Sequence, residues 1–181
     1  MTSMRFQFDE TKGVETLAYI AGVWPEITPF FAAKVLFFAE KAHLNRYGRP
    51  IVADTFIAMP HGPVPSTLYD FIKGNLEFSG DPEEFQRAIL VSGGGKARIT
   101  AGRKARLDCL SATDVECLDQ AIEFCRDKPF GQLSDLTHRE RAWSEASPNS
   151  PMDYALMIDD DNPHREAIVE EAETFSAYGV L

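Results

Sequence analysis

A glycine-rich run, SGGGK at residues 92–96, is the first stretch that could do chemistry, because glycine loops ending in lysine cradle phosphates. A phosphate-binding P-loop also needs a glycine at its start and a hydroxyl residue directly after the lysine. Here Leu90 stands at the first glycine position and Ala97 at the hydroxyl position. Short β-forming runs flank the glycines, so the pattern predicts a β-hairpin turn and no nucleotide cofactor.

Asp159, Asp160 and Asp161, with His164 close behind, offer ligands that could gather on a divalent cation. A calcium loop places its acids at alternate positions, and these acids are consecutive. Acids that precede a helix are also explained by their favourable interaction with the positive end of the helix dipole. We therefore predict no metal site in this chain.

The chain also has cysteines and histidines that could pair, with an imidazole activating a thiolate nucleophile. The candidates are Cys109, Cys117 and Cys125 with His43, His61 or His138. No local motif joins any two of them, and helical spacing places the cysteines on or beside a packed helix face, where thiols are inert. We predict that the protein is not an enzyme, and an uncharacterised hydrolase is kept as a remote alternative.

The balance of charge limits the partners, because the 181-residue chain has a net charge of -10 at pH 7. Nucleic-acid affinity comes mainly from Lys and Arg that displace counterions, so an acidic chain disfavours it. A basic segment with Arg98, Arg103, Lys104 and Arg106 has no interleaved aromatic residues and is interpreted as a charged helix face. We expect a protein partner, preferably a cationic one, and no nucleic acid.

The N-terminus, MTSMRFQFDE, lacks the basic start, apolar stretch and cleavage site of a signal peptide. No apolar run reaches the roughly 18 residues that a membrane span needs. The cysteine spacing matches neither zinc pairs nor a secreted disulfide framework, which indicates reduced thiols. We expect a cytoplasmic protein without a membrane partner.

Two helices are predicted in the N-terminal part of the chain, at residues 9–23 and 28–47. The second has Thr28 as its N-cap and Pro29 in its first turn, a start that is preorganised for the helix. It is followed by Gly48, which can adopt the left-handed conformation that ends helices. Its apolar residues fill most of the circumference, so we expect it to be the central helix of the fold.

The polar residues of that second helix predict its orientation. Lys34, Lys41 and Asn45 fall on one stripe at helical spacing, and this stripe is predicted to face solvent. His43 lies opposite the stripe and is predicted to point inward, where an imidazole must find a hydrogen-bond partner.

The elements after residue 50 are shorter. β-branched and aromatic residues predict one or two short strands within 51–59, and the proline-rich run 60–65 predicts a rigid loop. Further helices are predicted around 68–72, after Asp81, from Ser111, across 131–146 and after Asn162. We therefore expect a mainly α (α+β) fold, with one compact helical domain over residues 1–181 and a short β-hairpin or small sheet.

Two blocks of these elements carry a family resemblance. They are KVLFFAEKAHLNRYGRPIVADTFIAMPHGPVPSTLYDFIKG, residues 34–74, and LSDLTHRERAW, residues 133–143. The first joins an apolar helix containing a histidine, a YGRP turn, a GPVP segment and an aromatic–acid pair. Together they resemble the SocA-like antitoxin family, also called the Panacea domain, over most of residues 30–146.

The resemblance implies an antitoxin that neutralises a cognate toxin protein by direct binding, and this toxin is expected to be the product of an adjacent gene. In one branch of the family the antitoxin is an adaptor that hands the toxin to a ClpXP-type protease, and this is the alternative function. Part of the family signature is interpreted as structural: His43, Gly48, Pro50, Gly62, His138 and Trp143.

The YGRP turn, the loop at 60–65 and the following helix are predicted to form the toxin-binding surface, because prolines reduce the ordering cost of binding. The residues assigned to this surface are Tyr47, Arg49, Asp54, Met59, His61, Pro63, Val64 and Tyr69. Arg49 and Asp54 are also expected to form a charge pair across the turn.

Overall fold

The computed structural model describes residue 4 and residues 6–178, with side chains to residue 174. The fold is mainly α, as predicted. Its helices are α1 Glu10–Val23, α2 Pro29–Tyr47, α3 Ser66–Ile72, α4 Pro82–Ala88, α5 Ala112–Arg126, α6 Phe130–His138, α7 Arg141–Ser144 and α8 Arg165–Tyr178. Two antiparallel hairpins complete it, β1 Phe56–Met59 with β2 Gly62–Pro65 and β3 Ile89–Ser92 with β4 Arg98–Ala101. Short 3₁₀ turns lie at Gly94–Lys96, Leu107–Cys109 and Tyr154–Met157.

The helix α2 lies at the centre and packs against α5, the first hairpin, α1 and α3. Its predicted start is confirmed, since the Thr28 hydroxyl accepts the N–H of Phe31 at 3.3 Å. Its predicted end is confirmed too, because Gly48 has a φ of 73° and its N–H donates to the Leu44 carbonyl. A hydrophobic core of residues between Met4 and Ala172 surrounds this helix.

The predicted solvent-facing stripe of α2 is wrong. Lys34 is only 1% exposed. Lys41 is half-buried, with its Nζ 2.6 Å from the Glu140 carboxylate. The Asn45 amide donates to the Met157 carbonyl at 2.9 Å. Segments distant in sequence therefore cover the side of α2 that local periodicity assigned to water.

The proline-rich run is also not a loop throughout, because residues 62–65 form β2. Pro63 lies opposite Ala58, and Pro65 lies opposite Phe56. The backbone groups of those two β1 residues bond residues 149–152 on the other side of β1, so these are pairs without ladder hydrogen bonds. A proline at such a position removes no hydrogen bond from the hairpin, which explains why β2 tolerates two of them.

Other predictions of local structure hold. Gly93 has a φ of 93° in the turn between β3 and β4, as a hairpin requires. Ser111 and Asp114 form the predicted capping box of α5. The basic segment, however, is not a helix face, since Arg98 lies on β4 and the remaining cations follow in irregular backbone before the 3₁₀ turn at Leu107–Cys109. Within the described part of the chain, no helix combines the length and apolarity needed to cross a membrane.

Candidate functional site

A buried aspartate, Asp54, lies just before the first hairpin. Asp54 is 0% exposed, and its carboxylate accepts the N–H groups of Thr67 at 3.1 Å and Leu68 at 2.9 Å. Burial raises the pKa of Asp54, and these N–H groups act against that shift. The carboxylate thereby caps α3 and fixes the start of β1. Asp54 was assigned to the predicted binding surface, but its side chain is buried, so its role there is to hold β1 and α3 in position.

Gly62 begins β2 at a point where no side chain fits. Its φ is 104°, and a Cβ there would lie 2.2 Å from the Thr137 hydroxyl oxygen and 3.0 Å from Cε of Lys34. A φ in this region is strained for residues that carry a Cβ. The glycine therefore lets the hairpin pack directly on α6 and α2, which gives a physical reason for its place in the signature.

Lys34 supports the same hairpin from α2. Its Nζ donates to the Pro63 carbonyl at 2.9 Å, on the side of β2 that faces away from β1. The Nζ also lies 4.7 Å from the centre of the Phe30 ring, a cation–π contact. Burial lowers the pKa of Lys34 to about 7. A lysine predicted to face water is thus a buried hydrogen-bond donor of the site.

His138 and Trp143 brace the tip of the hairpin. The Trp143 Nε1–H donates to the Met59 carbonyl at 3.0 Å. His138 Nε2 donates to the Pro60 carbonyl, also at 3.0 Å. The two rings are stacked, with centroids 3.8 Å apart and an interplanar angle of 18°. These two signature residues hold consecutive carbonyls at the turn, so the tip is fixed in position.

The braced tip presents apolar and aromatic side chains to solvent. Met59 is 37% exposed, Phe130 at the start of α6 is 46% exposed, and His61 is also exposed. The His61 and Phe130 rings are 5.1 Å apart, and Phe130 lies 4.1 Å from the Phe30 ring. A cleft of about 460 Å³ opens beside them, between Met59 and Pro148. We call the exposed face of Met59, Pro60, His61 and Phe130 the hairpin-tip surface.

The YGRP turn lies elsewhere and contacts α5. Tyr47 is 43% exposed, and its hydroxyl donates to Glu116 at 3.3 Å. The Arg49 guanidinium lies 3.3 Å from the Asp114 carboxylate. The predicted Arg49–Asp54 pair is therefore wrong, because Asp54 is buried under α3 and Arg49 turns toward the N-terminus of α5. The carboxylate that Arg49 contacts belongs to Asp114, which is held in place by the capping box of α5.

The predicted binding residues consequently fall on two separate regions. The hairpin tip lies near Phe30 in the first turn of α2, and the YGRP turn follows Tyr47 at its end. With a rise of about 1.5 Å per residue, these points are about 25 Å apart along the helix. Tyr69 lies at the Phe30 end, beside a cleft that both residues line. Val64 and Tyr69 are half-buried and Pro63 is buried.

Comparison with known proteins identifies the family. Residues 33–144 match the model described as "Antitoxin SocA-like, Panacea domain". This range is more than half of the chain and extends from α2 to α7, including both hairpins. The chain belongs to this family. No curated protein and no solved structure gives a significant match.

In this Panacea domain His43 is a buried histidine with both ring nitrogens engaged. Its Nδ1–H donates to the Arg49 carbonyl at 2.7 Å, and Nε2 faces the Thr113 hydroxyl at 2.9 Å and the Asp114 carboxylate at 3.2 Å. Burial is the main reason that the pKa of His43 is lowered. The predicted inward orientation is confirmed, and the imidazole joins the YGRP turn to α5, with Pro50 buried next to it.

Sequence reasoning missed Glu40, which organises the segment after the YGRP turn. Its carboxylate is fully buried and accepts the N–H groups of Ile51, Val52 and Ala53 at 2.7–3.2 Å. Burial raises the pKa of Glu40 to about 7, although the three N–H donors favour the charged form. Helical spacing could have predicted that Glu40 is buried, because it lies one turn before His43 on the same inward face of α2.

The hydrolase alternative receives no support from the cysteines. Cys117 and Cys125 are buried as predicted, and burial raises the pKa of Cys125 to about 12. The imidazoles of His43 and His138 make their hydrogen bonds with the backbone and with polar side chains. A protonated, buried thiol is a poor nucleophile, and membership of an antitoxin family favours a non-enzymatic role.

The consecutive acids before α8 serve as ion-pair partners. Asp159 lies 2.8 Å from Lys41, and Asp160 contacts Arg141. Among the residues that the structure describes, no group of three His, Cys, Asp or Glu side chains is placed to hold a metal ion. These contacts attach the segment before α8 to α2 and α7.

Proposed function

We propose that this protein is an antitoxin that neutralises a cognate toxin protein by direct contact at the hairpin-tip surface. Membership of the antitoxin SocA-like family supports a partner of this class. The observation that carries the location is the exposure of Met59 and Phe130, 37% and 46%. Met59 lies on a hairpin that is held by hydrogen bonds from Lys34 and Trp143. Apolar anchors on a rigid support lose little conformational entropy on binding, which favours affinity.

The two predicted regions contribute differently to this proposal. Tyr47 and Arg49 already contact carboxylates of α5, so breaking those contacts would oppose their use by a partner. Met59 and His61 lie at the turn itself, where their side chains are exposed. A stable interface covers about 800 Å² on each partner, so a toxin centred on the tip extends well beyond the turn and can reach Val64.

The growth-rescue experiment uses the product of the adjacent gene as the toxin. Co-expression with the wild-type protein is expected to restore growth, and the purified proteins are expected to form a complex. Met59→Ala combined with Phe130→Ala should weaken that complex by about 2 kcal/mol or more, since buried apolar anchors dominate interfaces. The affinity is measured by isothermal titration calorimetry, with circular dichroism to show that each variant is folded.

Val23→Ala is the matched control, because Val23 is 41% exposed and lies outside the residues matched to the family. It should bind and rescue like the wild type. Arg49→Ala tests the YGRP turn in the same assays, and Tyr69→Ala tests the cleft beside Phe30. If the double variant at the tip binds as tightly as the wild type, the hairpin-tip surface is not the interface. If the wild type binds no adjacent gene product, the antitoxin function itself is wrong.

The alternative function, delivery of the toxin to a ClpXP-type protease, is distinguished by the lifetime of the toxin. Sequestration leaves the toxin intact while growth is restored. Delivery shortens the half-life of the toxin in cells that contain the protease, and deletion of the protease restores that half-life. Because both mechanisms require contact with the toxin, the double variant at the tip should not restore growth in either case.

A further inference from the structure

A larger cleft, about 840 Å³ in volume, lies between α3 and the second hairpin. Phe30, Tyr69, Ile72 and Val91 give it apolar walls, and the glycine turn at 93–95 forms one end. Its volume lies within the roughly 300–1,000 Å³ typical of ligand sites. The glycine turn connects β3 to β4, and the toxin contact proposed at the hairpin tip does not use the cleft.

Positive charge is concentrated in this cleft. Lys73, Lys96 and Arg98 line it, and Lys73 is paired with Asp70 at 2.8 Å. Lys96 and Arg98 are exposed and have no carboxylate within ion-pair distance in the described part of the chain. The protein as a whole has a net charge of -10. Two unneutralised cations in one cleft of an acidic protein form a local site for negative groups.

The aromatic residues of the cleft argue against a nucleotide. The Phe30 ring already has Phe130 4.1 Å away and the Lys34 Nζ at 4.7 Å. The Tyr69 ring has the Lys73 Nζ at 5.0 Å. Nucleic-acid sites bind bases by stacking them on free aromatic faces, and these rings are largely occupied. Apolar walls beside cations suit instead a peptide that presents carboxylates together with an apolar side chain.

We propose that this cleft binds an acidic peptide segment of the toxin, with carboxylates at Lys96 and Arg98 and an apolar side chain against Ile72 and Val91. The proposal rests on the antitoxin function proposed above. Continuity with the hairpin-tip surface supports the toxin as the source, because Phe30 lines the cleft and contacts Phe130. One partner seated on the tip could therefore place a segment in the cleft.

The cleft is first tested without the toxin. The probe is a fluorescein-labelled hexapeptide with four glutamates around a central leucine and phenylalanine, and its binding is followed by fluorescence anisotropy. Lys96→Glu with Arg98→Glu should weaken binding about tenfold or more, because two attractive charge pairs become repulsive. Lys104→Glu is the control, since Lys104 is exposed, lies outside the cleft and undergoes the same charge reversal at one position, half of the change in the double variant. It should alter the affinity less than about twofold.

Specific outcomes would overturn the cleft proposal. These are equal binding of a peptide with glutamine in place of glutamate, equal weakening by Lys104→Glu, or binding of ATP without binding of the acidic peptide.

The toxin is then titrated against the same variants, and the double variant should again bind about tenfold more weakly. If peptide binding is lost but toxin binding is unchanged, the toxin is not the source of the segment. If the wild type binds the peptide but no toxin, the antitoxin function fails separately from the cleft.

Discussion

Lys34 shows how a single residue links stability to the site. Its ammonium is buried, and its hydrogen bond to the Pro63 carbonyl joins α2 to β2. Burial without a neighbouring carboxylate disfavours the charged form, so the pKa of Lys34 falls to about 7. In the unfolded chain a lysine has a pKa of about 10.4. The unfolded state therefore binds more protons than the folded state between about pH 7 and pH 10.

This difference predicts that Lys34 makes the wild-type protein more stable as the pH rises from 7 to 9. The free energy of unfolding should increase by about 2 kcal/mol from this group, because excess protons bound by the unfolded state raise stability with pH. Lys34→Met, which keeps an apolar chain of similar length, should lack the increase. Urea unfolding at both pH values measures it.

Lys104→Met is the control for that experiment, because Lys104 is exposed. Its stability should follow the wild-type dependence on pH. Equal pH dependence of Lys34→Met and the wild type would show that the Lys34 amine is not the group that titrates.

At the scale of an element, the first hairpin is short and depends on α6 and α7 for its rigidity. A two-stranded hairpin is only marginally stable alone in water. Here the Trp143 indole and the His138 imidazole bond the Met59 and Pro60 carbonyls, both at 3.0 Å. The exposed anchors of the proposed interface are thus held by groups that lie behind them.

Removal of one brace should loosen the tip without unfolding the protein. Trp143→Phe keeps an aromatic ring to stack on His138 but loses the N–H donor to Met59, at a cost of about 1 kcal/mol. Amide hydrogen exchange of residues 56–65 should accelerate about fivefold, since local opening becomes easier. Mass spectrometry of the peptide that covers the hairpin measures the rate.

Trp24→Phe provides the comparison, because Trp24 packs on Phe31 and Arg126, away from the hairpin. Exchange within residues 56–65 should stay at the wild-type rate in that variant. A similar acceleration in both variants would mean that the indole hydrogen bond does not brace the tip.

The elements that sequence could predict are those fixed by local signals. Thr28, Pro29 and Gly48 define both ends of α2, and each acts within one turn of its own position. The failures have long-range causes. Lys34 is covered by β2, and Lys41 is covered by Glu140, which is 99 residues away in the sequence. Periodicity cannot reveal such partners.

The exposed hairpin-tip surface was predicted only in part for the same reason. Met59 and His61 are exposed at a turn, which proline content indicated. Phe130 was not assigned to the surface, because nothing local shows that α6 packs beside the hairpin. The β2 strand was missed because the permitted proline positions depend on which backbone groups face β1, and register is a property of the pair.

At the scale of the whole molecule, an ion network joins α1 to the segment after β4 and to α4. Glu15 is 0% exposed and accepts from the Arg103 guanidinium at 2.6 Å and from Arg106 Nε at 2.8 Å. Arg103 also contacts Glu84 of α4. Although burial opposes charge on Glu15, these donors lower its pKa to about 2. The helix α1 lies outside the residues matched to the family, and this network attaches it to them.

Glu15 should therefore stabilise the protein above about pH 4.3, the pKa of an unfolded glutamate, and its contribution should be lost as the pH falls toward 2. Glu15→Gln is expected to cost about 2 kcal/mol at pH 7, a value reduced because both arginines are partly exposed. The difference between variant and wild type should shrink at pH 3. Urea unfolding at both pH values tests this, and the exposed Glu123→Gln should show no such difference.

The Glu15 network also has a consequence for synthesis. The Glu15 carboxylate accepts the backbone N–H of Arg106, which lies 91 residues later in the sequence. At about 5–20 residues per second, the ribosome adds the second partner about 5–20 s after the first. During that interval the emerging α1 lacks the partners that neutralise its inward carboxylate, so it cannot yet dock as it does in the finished protein. We therefore expect newly made chains to remain accessible to chaperones and proteases at least until translation has passed β4.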